Sequence, residues 1–187
     1  MDNKDRWIQT FTGRRFSVSR ADPAEVCIED IINALSKICR FAGNCSIFYS
    51  VAEHSVRVAR RLPPHLQLAG LLHDASEAYL SDVPKPVKDL PEMEGYMVVE
   101  ADVMRAIEHR FGLPQLSLES DEIKQADREM VSIEARCLMH PLRPDWPLPY
   151  TPGVLELMDF QSTGGWTPPE AADRMRTFFN LLHGPCA

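Results

Sequence analysis

Proline and glycine cut this chain into segments whose apolar residues recur at helical spacing and almost nowhere at strand spacing. That punctuation constrains the fold more than any other feature. Pro63-Pro64, Pro84 with Pro86, and Gly112 with Pro114 each close a periodic stretch, because proline lacks the N–H that a helix interior needs. In "ADPAEVCIEDIINALSKICRF", Ile28, Ile31, Ile32, Leu35, Ile38 and Cys39 share one stripe. Asp22 before Pro23 is a candidate cap, and a start as late as Glu29 fits equally. Further helices are expected over 51–62, over 66–80, in "MEGYMVVEADVMRAIEHRFGL", and behind Ser120 in "SDEIKQADREMVSIEARCLM". A last one starts where Thr167 and Glu170 make a capping box around Pro168. Residues 1–21 read as extended or turn structure, and the Pro-rich stretch 141–152 as a surface crossing pegged by Trp146 and Tyr150. The expectation is an all-α compact bundle of six or seven helices, in a single domain spanning 1–187.

Composition removes several classes of function. A formal charge of -7 lacks the basic balance of a general nucleic-acid binder. No run of eighteen apolar residues exists to span a membrane, and the N-terminus carries no apolar core of a secretory signal. Five cysteines (Cys27, Cys39, Cys45, Cys137, Cys186) without a CxxC pair read as free thiols in a cytoplasmic chain, none of them a strong metal ligand or nucleophile.

The polar residues within the apolar stripes then stand out. In "LLHDASEAYLSDVPKP" a single helix would bring Glu77 to the same neighbourhood as His73 and Asp74, beside Leu68, Leu71, Leu72 and Tyr79 facing a core. His54 lies on the inward stripe between Val51 and Val58, and Asp127 on that of Ile123, Met130 and Val131. One inward His is more often a hydrogen-bonded core residue than a ligand, and one inward Asp more often caps or pairs with Arg. The combination carries more weight: burying carboxylates costs several kcal/mol unless something pairs with them, and a cation is one such partner. Two imidazoles with two carboxylates make a mixed N/O set suited to Mn, Fe, Co, Ni or Zn, with positions left for water and substrate.

The order His54, His73-Asp74, Asp127 resembles the H…HD…D ligand pattern of the HD-domain metal-dependent phosphohydrolases. "HDASEAYLSDVPKPVK" and "KQAD" are similar to the branch holding the bacterial 5′-deoxynucleotidases, and "TGRRF", "IEDIINALSKICRFAGN", "FYSVAEHSV" and "GWTPPEAADRM" to its short phage-type members. The likeness covers about 12–179 and is weakest over 90–120 and the Pro-rich crossing. It implies a bundle of the HD-domain type in which His54, His73, Asp74 and Asp127 bind one divalent transition metal (Co, Mn, Zn, Ni or Fe), with room for additional Mg. It also implies catalytic roles for Glu77 at the attacking water, for Asp82 at the sugar or water, and for Arg40 near the phosphate. Lys85 and Lys88 follow in a Pro-fixed loop, and Arg15, with Arg14, is a candidate for outer phosphates. Phe16, Val18 and Pro84 are similar to the adenine pocket of phage dATP triphosphohydrolases.

The implied function is hydrolysis of phosphate from 2′-deoxynucleotides, with deoxyadenosine nucleotides as the first substrate, in nucleotide-pool control in the cytoplasm (the host's, if phage-encoded). Alternatives are a general 5′-deoxynucleoside monophosphatase and a non-catalytic, metal-stabilised nucleotide-binding regulator. The expected partner is a small deoxynucleotide, with neither nucleic acid nor membrane. Relatives of this kind form homo-oligomers, and exposed aromatics near Trp146 and Trp166 are candidate contacts.

Overall fold

In a computed structural model, which describes residues 6–184, the chain is a helical bundle with one small antiparallel hairpin. Cys186, read above as a free thiol, lies outside the described residues. The helices are α1 (Ile28–Leu35), α2 (Val51–Arg61), α3 (Gln67–Leu72), α4 (Glu77–Leu80), α5 (Lys85–Lys88), α6 (Glu94–Arg110), α7 (Asp121–Leu138), α8 (Val154–Thr163) and α9 (Pro168–His183). The expected all-α bundle stands, with a short hairpin beside it. Strands β1 (Trp7–Gln9) and β2 (Arg15–Ser17) pair Ile8 with Phe16 across a turn where Gly13 takes φ +80°. Three residues a side are too few to announce themselves in sequence, and the hairpin is held by Asp30, whose carboxylate accepts from the Thr12 N–H and hydroxyl at 2.7 and 3.0 Å.

Local chemistry explains most boundaries. Ser50 caps α2 by accepting from the Glu53 N–H, and Ser120 caps α7 by accepting from that of Ile123. The Glu170 carboxylate accepts from the Thr167 N–H at 2.8 Å, as the capping-box reading requires. Asp22 caps only a single 3-10 turn, Pro23–Glu25, and α1 begins later, behind Cys27. Helix α8 is an addition to the sequence reading, and so is the single turn α5. That turn replaces the expected Pro-fixed loop around Lys85 and Lys88, because Pro84 and Pro86 sit at its start, where no N–H is needed. The described residues thus hold more than the six or seven helices expected.

Helix α2 is the axis of the fold. It packs against α3, α7 and α9, and its residues Val51 to Ala59 are all buried. The apolar ones join a core with Ile31, Leu71, Ile107, Met175 and Phe179, and each such side chain contributes roughly 1.5–3 kcal/mol on burial. Yet Glu53, His54, Ser55 and Arg57 are buried on the same helix. Such groups persist inside only where partners meet them. Among the described residues no helix is long and apolar enough to cross a membrane.

Candidate metal centre

The segment read as one helix over 66–80 is two. Helix α3 stops at Leu72 and α4 starts at Glu77, and the turns between are closed by i to i−3 bonds: Ala75 N–H to Leu72 O at 2.9 Å and Glu77 N–H to Asp74 O at 3.0 Å. Tightening from 3.6 towards 3.0 residues per turn changes which side chains share a face, as such segments do at functional positions. His73 and Asp74 therefore sit in a break, not on a regular helix. Both still reach His54 on α2: the two Nε2 atoms stand 3.3 Å apart, and Asp74 Oδ2 lies 3.3 Å from that of His73 and 3.6 Å from that of His54.

These three residues offer atoms all within 4.8 Å of one another, a group that can hold a metal ion. Asp127 of α7 joins from one side, with Oδ1 3.1 Å from His54 Nε2. The donor chemistry fits a cation. His54 Nδ1 lies 2.6 Å from Glu134 Oε1, and His73 Nδ1 lies 2.8 Å from the Gly70 carbonyl. Each Nδ1–H donates outwards, which leaves an Nε2 lone pair facing the centre. Two lone pairs and two carboxylates then converge, acceptor against acceptor, and only a positive charge relieves that arrangement. Without a metal, a proton serves: burial and Arg40 push the His54 pKa down, but Glu134 and Asp127 outweigh them and raise it to about 9. Burial works against the ionised forms of Asp74 and Asp127, yet the imidazoles and Arg40 hold both carboxyls below the usual range.

Arg40 lies over this group. Its Nη1 donates to Asp74 Oδ2 at 3.2 Å, and its Nε is 3.4 Å from Glu134 Oε2 without hydrogen-bonding geometry. Burial pushes its pKa down, but four carboxylates, Glu134, Asp74, Asp127 and Glu77, outweigh that and keep it charged. Glu77 is buried with Oε2 unpartnered among the described residues. Burial, then the charges of Asp74 and Asp82, lift its pKa well above the usual carboxylate value.

Arg40, Asp74, Glu77 and Asp127 line one cavity of about 850 Å³, within the range of small-molecule sites. Asp82, Pro84, Lys85 and Lys88 line it as well. Both lysines are already engaged, Lys85 with Asp89 at 2.8 Å and Lys88 with Glu100 at 2.7 Å. The Pro-rich crossing supplies a wall at 146–149, where Trp146 meets Phe41 edge to face at 6.3 Å.

Other expected residues lie elsewhere. Phe16 is fully buried and stacks on Tyr79 at 3.8 Å, so its ring is a core element and lines no part of the cavity. Val18 packs half-buried against the core, and Arg15 lies over the Trp7 ring at 5.4 Å; neither lines the cavity. Trp166, expected exposed, is buried against Arg57 and Arg174. Sequence reasoning missed Glu134, fully buried and bonded to His54 and to the Tyr49 hydroxyl at 2.8 Å. Its spacing of seven from Asp127, two turns along α7, was the available signal.

The chain is 39% identical over 132 residues to the uncharacterized protein YfdR of Escherichia coli (strain K12), covering 71% of this chain and 72% of that protein. The chain belongs to the YfdR family. The uncharacterized protein RCAP_rcc00048 of Rhodobacter capsulatus is 35% identical over 142 residues, with 71% of each chain covered. No family model matches this YfdR relative. Among solved structures, the cyanophage S-2L HD phosphohydrolase (DatZ), bound to dA and one catalytic Zn2+ ion, aligns with 81% of this chain and 93% of its own at 19% identity and a TM-score of 0.43.

Proposed function

We propose that this member of the YfdR family is a divalent-metal-dependent phosphohydrolase of the HD-domain type that acts on 2′-deoxynucleotides. The observation that carries the reading is the convergence of His54, His73, Asp74 and Asp127 below Arg40 and beside Glu77, at a cavity large enough for a nucleotide. The sequence motifs around those residues supply the substrate class. His54, His73, Asp74 and Asp127 would hold the ion, which when bound polarises a phosphoryl oxygen and makes water at the site more acidic. Arg40, held charged by its carboxylate neighbours, orients a phosphate oxygen and offsets charge that grows in the transition state. Glu77, with its pKa lifted by burial, is a stronger base than an ordinary carboxylate and takes a proton from the attacking water. Asp82 and Pro84 line the approach, and Phe41 and Trp146 offer an aromatic face for a base.

Deoxyadenosine nucleotides remain the first substrate to test, although the placement of Phe16 and Val18 removes them from any adenine pocket at this cavity. The charge of the lining favours the monophosphate among these. Six acids (Asp74, Glu77, Asp82, Asp89, Glu100, Asp127) face four cations (Arg40, Lys85, Lys88, Arg128), and a bound divalent ion would only offset that difference, leaving no surplus positive charge for the extra phosphates of a triphosphate. A general 5′-deoxynucleoside monophosphatase is accordingly the second reading.

The experiment determines bound metal after purification without chelator and measures phosphate or polyphosphate release from all deoxy- and ribonucleotide mono- and triphosphates. Release from deoxynucleotides and little from ribonucleotides is expected. Glu77→Gln should retain the metal and lose roughly 10²–10⁴-fold in rate, the usual contribution of a general base. A metal-loaded protein that turns over no nucleotide would sink the enzyme reading.

A further inference from the structure

At the wall of the cavity, the loop that carries Arg40 and Phe41 is strained, and two thiols face each other at its base. Phe41 and Ala42 both take positive φ, 57° and 50°, and Gly43 follows at 77°. Non-glycine residues in that region cost of order 1–3 kcal/mol each and persist only where the surroundings enforce them. The enforcement is visible on both flanks. Cys39 bridges to Ser50, Arg40 N–H donates to Tyr49 O at 2.9 Å, and Ser46 N–H donates to Leu138 O at 2.9 Å. Between these anchors Cys39 Sγ and Cys45 Sγ lie 3.6 Å apart. Both residues are half-buried, Cys45 against the core.

We propose that Cys39 and Cys45 form a reversible disulfide that closes and stiffens the loop bearing Arg40. A bond needs the sulfurs at about 2.05 Å, an approach of about 1.5 Å from the observed contact. The oxidant is a low-molecular-weight disulfide. The Cys39 thiolate attacks one sulfur of that molecule, forms a mixed disulfide and expels the other half as a thiolate. The Cys45 sulfur gives its proton to solvent as it attacks Cys39 Sγ, and the second half leaves as a thiolate that solvent then protonates. Two protein thiols are oxidised and one small disulfide is reduced to two thiols. The order follows from the surroundings: burial, then the hydrogen bond and charge of Cys39, raise the Cys45 thiol to about 11, so Cys45 keeps its proton until Cys39 has reacted. The redox step does not rest on the proposed hydrolase activity.

The sequence makes the product easy to identify, because trypsin cuts after Arg40, between the two cysteines. The reduced full-length protein is incubated with oxidised glutathione, alkylated and digested, and the same samples are followed by amide hydrogen exchange. Peptides 38–40 and 41–57 should appear disulfide-linked, in excess of any pairing with Cys27, Cys137 or Cys186. Exchange over 41–44 should slow by about tenfold and recover with dithiothreitol. Cys45→Ser should stop at a glutathione adduct on Cys39, and Cys39→Ser should leave Cys45 unmodified. The wild-type arm decides even if a variant fails to fold. Five alkylatable thiols after oxidation, a stable wild-type adduct at Cys39, or a linked product with unchanged exchange would each overturn the proposal.

Discussion

Helix α2 carries two buried charged groups side by side, and they have opposite fates. Glu53 faces α9's entry, where Arg57 Nε donates at 3.0 Å, its Nη2 stands 2.9 Å away as an ion-pair contact, and the N–H groups of Gly165 and Trp166 donate at 3.2 and 2.8 Å. Arg57 in turn lies against the rings of Phe160 and Trp166 and donates to the Thr163 hydroxyl. His54, the next residue, faces the other way into a cluster of acceptors. Around it Arg40 Nε, Glu77 Oε2 and Glu134 Oε2 have no hydrogen-bond partner among the described residues. The electrostatics differ too. Burial holds the Glu53 carboxyl above its usual pKa despite three donors, whereas the charges of His54 and Arg40 bring Glu134 below its own. A buried charge whose partners are complete is architecture; one whose partners are incomplete is poised for something outside the chain.

Asp74→Ala breaks the second cluster most severely. It should remove the metal and cost about 10³–10⁴-fold in phosphate release, while the metal-free protein loses only about 1–3 kcal/mol, because Arg40 gives up its bond to Asp74 but keeps Glu134 and Asp127 as counter-charges. Metal analysis beside denaturant unfolding checks both halves. Glu53→Ala should reverse the pattern. It strands the Arg57 guanidinium and two backbone N–H groups, at about 3–5 kcal/mol, yet the metal content of the folded fraction should not change. If Glu53→Ala emptied the metal centre of folded protein, the two faces of α2 would not be separable.

Proton linkage at His54 gives the next effect. Its folded-state pKa is raised from 6.5 to about 9, so this contribution is fully present below pH 6.5 and is lost as pH rises through about 9. The metal-free protein should lose about 3 kcal/mol over that interval, and Glu77, whose raised pKa acts in the same direction from lower pH, adds to the loss. Metal replaces the His54 proton, so saturating metal should flatten the slope and binding near neutrality should release protons. Unfolding at pH 6, 7.5 and 9, with and without metal, measures this. A flat metal-free profile would show that a proton on His54 does not hold the carboxylates together.

The same division separates what the sequence made legible from what it hid. Proline stops, caps and apolar stripes placed α2, α6, α7 and α9, since these depend on neighbours within a few residues. Helix α8 was hidden because its Val154, Leu155 and Met158 are exposed and Phe160 alone is buried, so no inward stripe marks it. The break at 73–76 turns on i−3 against i−4 bonding, a choice that tertiary contacts make. His54, His73, Asp74 and Asp127 could be found as polar intruders on apolar faces. Phe16 could not be sorted between pocket and core, because its partner Tyr79 lies more than sixty residues away.

Glu134 tests the comparison most finely, since it is buried as completely as Glu53 but serves the ligand face. Its carboxylate accepts from Tyr49 and from His54 Nδ1, which turns the His54 Nε2 lone pair to the centre. Glu134→Gln keeps the shape and an acceptor oxygen but removes the charge opposite His54 and Arg40. Outer partners of this kind typically contribute 10–100-fold in metal affinity, or about 1.4–2.7 kcal/mol. A chelator competition should show that loss with the helical signal unchanged, and Glu134→Asp should recover part of it by restoring the charge. An unaltered affinity in Glu134→Gln would reduce Glu134 to the structural standing of Glu53 and leave the imidazole orientation to packing alone.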